Sequence, residues 1–181
     1  MKNHILSYNQ INESNELDNL SFEEVGRLAE LGILSGDLLK IYNYVKNGSI
    51  GDLDLINSKL TYLPNWLTKV DGILFITESD IEDIPDTLII KSSIYANSSK
   101  LKEFNRTHVS GTLDLDYTKI TKLPDNLKVH GYLSVEGIHF EEFPKNLEIE
   151  GRFFINNSNL KQFSNNELYD MYNLTGEIVR F

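Results

Sequence analysis

The chain has 181 residues, no cysteine, and 27 acidic against 17 basic groups, for a net charge of −10. Its 40% hydrophobic and 10% aromatic content is that of a folding chain, and its length suits one domain. The missing thiols exclude a disulfide framework and thiolate chemistry, the lack of any basic cluster excludes tight nucleic-acid binding and disfavours anionic membranes, and no apolar run approaches the roughly 18–20 residues that span a bilayer. Both parts of the chain share the acidity, with 4 basic and 7 acidic groups in residues 1–50 and 13 and 20 in residues 51–181. A protein with a basic or neutral surface is the partner this charge favours. The absence of cysteine, and a start (Met1-Lys2-Asn3-His4-Ile5-Leu6) unlike a standard secretion signal, point to a cytoplasmic location.

Residues 1–19 read as a polar leader with a small apolar set at Ile5, Leu6, Tyr8 and Ile11. Residues 20–50 predict two short helices. Ser21 with Glu24 forms a capping box ahead of Val25, Leu28, Ala29 and Leu31 at helical spacing. Gly32 and Ser35-Gly36 break that helix, and Ser35 is placed to cap a second one carrying Leu38, Leu39, Ile41, Tyr42 and Val45, which ends at Asn47-Gly48. Such a hairpin is expected to act as an N-terminal cap on the remainder of the chain.

From Gly51 a pattern returns every 19 to 21 residues, with segments starting at Gly51, Gly72, Ser92, Gly111, Gly131 and Gly151. Two places on sits Leu53, Leu74, Ile94, Leu113, Leu133 or Phe153; four places on sits Leu55, Ile76, Ala96, Leu115, Val135 or Ile155. The register continues at Leu60, Ile81, Leu101, Ile120, Phe140 and Leu160, then at Leu63, Ile84, Phe104, Leu123, Phe143 and Phe163. A period of this size predicts a solenoid of stacked units, none able to bury its apolar edge alone. The opening alternation, as in Gly111-Thr112-Leu113-Asp114-Leu115-Asp116, suits a short strand buried on one face. Ser58, Ser79, Ser99, Thr118 and Ser158 stand where a hydroxyl bonds backbone at the turn out of the sheet. Leu63-Pro64, Ile84-Pro85, Leu123-Pro124 and Phe143-Pro144 forbid a long helix on the return, which is expected to be extended or 3₁₀, with Leu67, Leu88, Leu127 and Leu147 closing the circuit.

Leu53-x-Leu55-x-x-Ser58-x-Leu60 resembles the strand-and-turn segment of a leucine-rich repeat, with Ser or Thr where Asn is usual. The short Leu-Pro repeat is similar to the subclass of bacterial secreted effectors, which also place a helical hairpin before the repeats, and to arrays in bacterial and phage proteins. The resemblance implies an α/β repeat solenoid with six repeats in residues 51–165, a parallel sheet along a concave face, and protein recognition on that face. In the third repeat Asn105 replaces the proline, the leucine anchor is missing, and Arg106-Thr107-His108 lies in a segment one residue short. That reads either as a tolerated defect or as a notch shaped for a partner. Residues 166–181 are expected to form a C-terminal cap, with a short helix through Tyr172 and a closing strand at Glu177-Ile178-Val179-Arg180-Phe181.

Alternation sends Asp52, Asp54, Ile73, Phe75, Ser93, Tyr95, Thr112, Asp114, Tyr132, Ser134, Arg152 and Phe154 to the open face. Phe75, Tyr95, Tyr132 and Phe154 are expected to anchor a partner protein, while Asp52, Asp54, Asp114 and Asp116 steer its basic patch. Asp116 and Glu136, equivalent on adjacent strands, have the spacing of an acid–base pair or a cation site. They are expected at strand ends facing water without further oxygen ligands, so neither metal nor cofactor is assigned. The four histidines, His4, His108, His130 and His139, do not recur at ligand spacing, and no catalytic triad or phosphate-binding loop appears. The chain therefore reads as a non-enzymatic protein-binding module, of a kind that would suit a phage or bacterial factor modulating a host protein. A second reading rests on the leader. Ile11-Asn12-Glu13 resembles the cleavage step of leaders on proteins packed inside the heads of T4-like phages, with the cut between Glu13 and Ser14, which implies a virion interior; Leu28-Ala29-Glu30, Ile76-Thr77-Glu78 and Leu101-Lys102-Glu103 fit the same step by chance. A structural role in a particle or surface layer is a third.

Overall fold

A strand two residues long has almost no stability alone; it persists when the same residues recur one turn later and hydrogen-bond to it. The computed structural model describes residues 20–34 and 36–180. The leader with its Glu13–Ser14 step, the capping role expected of Ser35, and Phe181 lie outside the described residues. Two helices, α1 (Phe22–Glu30) and α2 (Gly36–Lys46), precede a parallel-strand β-solenoid. Its main sheet has seven parallel strands in the order β1 (Leu53–Asp54), β3 (Leu74–Phe75), β5 (Ile94–Tyr95), β7 (Leu113–Asp114), β9 (Leu133–Ser134), β11 (Phe153–Phe154) and β13 (Ile178–Val179).

The return legs are extended and also pair from turn to turn. β2 (Lys69–Val70) joins β4 (Ile89–Ile90), and β6 (His108–Val109), β8 (Lys128–Val129), β10 (Glu148–Ile149) and β12 (Asn173–Leu174) form a second parallel sheet. Strands on both flanks share the same ~4.8 Å spacing. The core lies between the two flanks. Leu53, Leu74, Ile94, Leu113, Leu133 and Phe153 meet Val70, Val109, Val129 and Ile149, each at most 2% exposed. Burying side chains of this size contributes about 1.5–3 kcal/mol each.

Each strand leaves the sheet through a tight turn. The Ser58 N–H donates to Leu55 O at 3.1 Å, and Asn57 between them takes a φ of 59°. Glu78, Ser98, Tyr117, Gly137 and Asn157 repeat that left-handed conformation, glycine being used once. For the others it costs on the order of 1–2 kcal/mol. What holds them is the next turn: the N–H of Asn57, Glu78, Ser98, Tyr117 and Gly137 donates to the carbonyl of Thr77, Asn97, Asp116, Glu136 and Asn156 respectively. The hydroxyls expected here are buried and bonded locally, with Ser79, Thr118 and Ser158 donating to Ile76, Leu115 and Ile155 carbonyls at 2.7, 2.7 and 2.9 Å. Ile138, 1% exposed, stands in that place in the fifth repeat. Glycine at the strand start answers a close approach: a Cβ on Gly131 would lie 2.7 Å from Gly111 backbone, and one on Gly151 2.5 Å from Gly131 O.

Helix α1 carries the capping box, Ser21 N–H donating to Glu24 Oε2 at 2.9 Å and Glu24 N–H to Ser21 Oγ at 3.3 Å. Val25, Leu34, Leu38 and Tyr42 form a small core joined to the array by Trp66, whose Nε1–H donates to Leu20 O at 3.0 Å. Helix α2 lies on the first turn, with Lys40 Nζ donating to Asp54 O at 2.7 Å and Tyr44 OH to Gly51 O at 2.9 Å. At the other end, a 3₁₀ turn (Asn159–Gln162) leads to α3 (Asn165–Met171), which a second capping box at Ser164 and Glu167 begins. Leu168 and Tyr172 enter the main core, and Tyr169 OH donates to Gly176 O at 2.9 Å.

The short third repeat interrupts the return side. β4 and β6 are not paired, so that flank divides into two sheets there. Thr107 takes the place of the leucine anchor and is exposed. Arg106 fills the gap instead: its Nη2 donates to Pro85 O at 2.7 Å and to Leu88 O in the turn before. Asp83 and Asp86 face its charge.

Two outcomes test these contacts. Arg106→Ala is expected to lower unfolding stability by about 1.5–3 kcal/mol, the range for hydrogen bonds to a charged group, and Arg106→Lys is expected to recover less than half, both read by urea unfolding. Removal of residues 175–181 uncovers β11 and is expected to lower the melting temperature or cause aggregation; a truncated protein that melts with the parent would refute the role given to β13.

Candidate functional site

The strand register carries Asp54, Phe75, Tyr95, Asp114, Ser134, Phe154 and Val179 across the main sheet as one row. The neighbouring row, two residues earlier, holds Asp52, Ile73, Ser93, Thr112, Tyr132, Arg152 and Glu177. Phe75 and Tyr95 stack, their ring centroids 5.3 Å apart and their planes 14° apart. Tyr132 and Phe154 meet edge to face at 5.5 Å. The two pairs stand on either side of β7. The four expected anchors thus line the sheet as an aromatic stripe interrupted at β7, all half-buried.

Asp114 lies on β7 between these pairs. One of its oxygens, Oδ1, accepts the Asp116 N–H at 3.2 Å. Asp116 Oδ1 in turn accepts Ser134 Oγ–H and the Glu136 N–H, each at 2.6 Å. Glu136 Oε1 accepts Asn156 Nδ2–H at 2.6 Å. The result is a ladder of polar side chains climbing the turns beside the aromatic stripe. Asp116 and Glu136, expected to face water at strand ends, are half-buried, and each commits one oxygen to the next turn. Among the described residues no group of three or more His, Asp or Glu side chains is arranged to hold a metal ion.

Burial, followed by the Asp116 charge, pushes the Asp114 carboxyl up to about 6, against the pull of the Asp116 N–H. Burial also raises Asp116, opposed by its bonds from Ser134 and the Glu136 N–H. Tyr132 is raised by burial, by Tyr95 and by the charges of Asp114 and Asp116. Among the described residues, no cation stands beside these groups to offset their charge.

Asp52 and Asp54 do not join this cluster. They sit at the β1 end, three strands or about 14 Å from Asp114, both exposed and each accepting a backbone N–H, Asp52 Oδ1 from Ile73 in the next turn at 2.7 Å and Asp54 Oδ1 from Ile56 at 3.0 Å. Asn156 was not anticipated from the sequence, and neither was the Thr77–Asn97 bond of 2.7 Å in the same column. The column one residue past the second buried position (Ile56, Thr77, Asn97, Asp116, Glu136, Asn156) carries the signal for both. On the return side, His108 and His130 pack edge to face at 5.0 Å, and His130 Nδ1 lies 2.8 Å from Glu150 Oε1.

No family model, curated protein or solved structure matches the chain. No helix among the described residues is long and apolar enough to cross a membrane.

Ser134 is 4% exposed and its hydroxyl serves Asp116 alone. Ser134→Ala is expected to cost about 1–3 kcal/mol, because it strips a donor from a half-buried carboxylate. Urea unfolding of the variant beside the parent measures it.

Proposed function

We propose that this chain is a non-enzymatic protein-binding module that holds a partner of basic or neutral surface against its seven-stranded face. The observation that carries the reading is the aromatic stripe Phe75–Tyr95–Tyr132–Phe154 flanking carboxylates that no side-chain cation among the described residues offsets. Half-buried aromatic side chains lose few rotamers on binding and bring large contact areas, which is how interface anchors work. Asp114 and Asp116 add attraction for a basic patch, and Asp52 and Asp54 extend it to the β1 end. Within this reading, α1 and α2 cap the first turn and α3 with β13 caps the last, supported by the Tyr44–Gly51 and Tyr169–Gly176 bonds. The leucine-rich-repeat kinship is likewise a proposal; the buried Ser or Thr at the turn and the extended return supports it, while pairing along the return is a departure.

The test is an affinity pull-down from bacterial lysate beside two folded double variants, Phe75→Ala with Tyr95→Ala and Tyr132→Ala with Phe154→Ala. Truncating interface anchors removes about 2 kcal/mol or more each, so retained protein is expected to fall at least tenfold with either pair, and further as salt is raised. Undiminished capture by both variants would move the site off this face.

A further inference from the structure

The outward face of the return side, across the core from the main sheet, carries a polar cluster that the proposed function does not use. The β6–β8–β10 register sets His108, Lys128 and Glu148 in one outward row. Two residues on, Ser110, His130 and Glu150 make the next. The two histidines therefore meet on a diagonal, between neighbouring strands and neighbouring rows, and no repeat of histidine in the sequence announces the contact.

Their ring centroids are 5.0 Å apart and their planes lie at 71°. Two imidazoles that share one divalent ion at about 2.0–2.1 Å, at a right-angled to tetrahedral bond angle, hold their ring centres roughly 4.5–5.2 Å apart. The backbone thus already keeps these rings at the separation an ion requires, and rotation about side-chain bonds is what remains. Glu150 prepares His130 for the role. His130 Nδ1 lies 2.8 Å from Glu150 Oε1. A carboxylate only accepts, so Nδ1 carries the proton and Nε2 keeps its lone pair. A carboxylate behind the far nitrogen is how metal-bound histidines are oriented and made more basic ligands. His108 is exposed, and the Ser110 hydroxyl, 3.5 Å from its Nε2, is a weak tether that leaves the ring free to turn. Lys128 has its ammonium 3.2 Å from Glu148 and 3.8 Å from Glu150, so this cluster sets two carboxylates against one lysine.

We propose that His108 and His130 form a binding site for a divalent transition-metal ion of the zinc type, with Glu150 orienting His130 and water filling the remaining positions. Imidazole ligands suit zinc, copper and nickel over magnesium or calcium. Two protein ligands are fewer than a closed structural zinc site has, so the ion exchanges and the fold stands without it. Its place in the fold gives it an effect. β6 has no strand paired on its β4 side. An ion shared by His108 of β6 and His130 at the end of β8 clips that free edge to its sheet. The bonds it would protect are Lys128 N–H to Thr107 O at 2.9 Å and His130 N–H to Val109 O at 3.1 Å.

The test is a titration of the full chain with Zn²⁺ at neutral pH, followed by imidazole and amide resonances in NMR. It compares the parent with His108→Ala, His130→Ala, Glu150→Gln and His139→Ala, each first shown to be folded by its metal-free melting temperature. In the parent, His108 and His130 are expected to shift together with one shared midpoint. Removing either histidine is expected to weaken binding by at least about tenfold, and Glu150→Gln by about tenfold, the loss typical of a missing partner behind a ligand. His139→Ala is expected to leave the midpoint where it was. Zn²⁺ is also expected to slow hydrogen exchange at the Lys128 and His130 amides of the parent and not of His108→Ala, which separates an ion bridging two strands from one held by a single histidine. Separate midpoints for the two rings, a midpoint unmoved by either histidine substitution, or amide exchange that Zn²⁺ leaves unchanged would overturn the bridge. These readouts do not involve the seven-stranded face, so they stand or fall apart from the partner proposed there.

Discussion

Everything in this fold depends on hydrogen bonds between equivalent backbone groups in successive turns. Strands of two residues, left-handed turn residues and buried hydroxyls are each unfavourable or weak when isolated. Repetition at one spacing lets every one of them lean on a copy of itself. The constraint is strict, because a ladder of this kind accepts only turns that bring the same groups to the same height. It explains why Glu78 and Tyr117 tolerate a φ of 55°, since each donates its N–H to the turn above. It also explains the glycines at the strand starts, where the Gly111, Gly131 and Gly151 backbones stack with N–H to O distances of 2.8 and 2.9 Å. A side chain there would push the turns apart.

The apolar register made the solenoid and its extended return legs legible, because positions such as Leu53, Leu74 and Ile94 repeat in chemical kind as well as spacing. Pairing along the return was not legible. Lys69-Val70, Ile89-Ile90, His108-Val109 and Glu148-Ile149 share a β-branched second residue and little else, so nothing in their composition announces a second sheet. Arg106 was legible only as an irregularity. Its role arises because the guanidinium reaches back one turn to the Pro85 and Leu88 carbonyls, a contact between residues about one repeat apart.

The candidate site divides in the same way. Strict alternation placed Phe75, Tyr95, Asp114, Ser134 and Phe154 in one row, and the register bears that out strand by strand. What alternation does not encode is how far a side chain leans. Tyr132 belongs to the other row, yet its ring meets Phe154 edge to face. Asp116 and Glu136 illustrate the opposite limit: their equivalence was evident, but the 2.6 Å bonds that occupy them depend on the height of the turns.

The stacked architecture also sets the unit in which this chain tolerates change in length. Each turn touches the turn before it and the turn after it, so stability accrues by intrinsic and neighbour contributions. Inserting or deleting a complete turn of about 20 residues leaves every remaining ladder commensurate. A single-residue change does not; it shifts one flank against the other and breaks pairing on the weaker side. The third repeat is one residue short and shows what absorbing such a shift demands: an unpaired gap between β4 and β6, and a long cationic side chain laid across it.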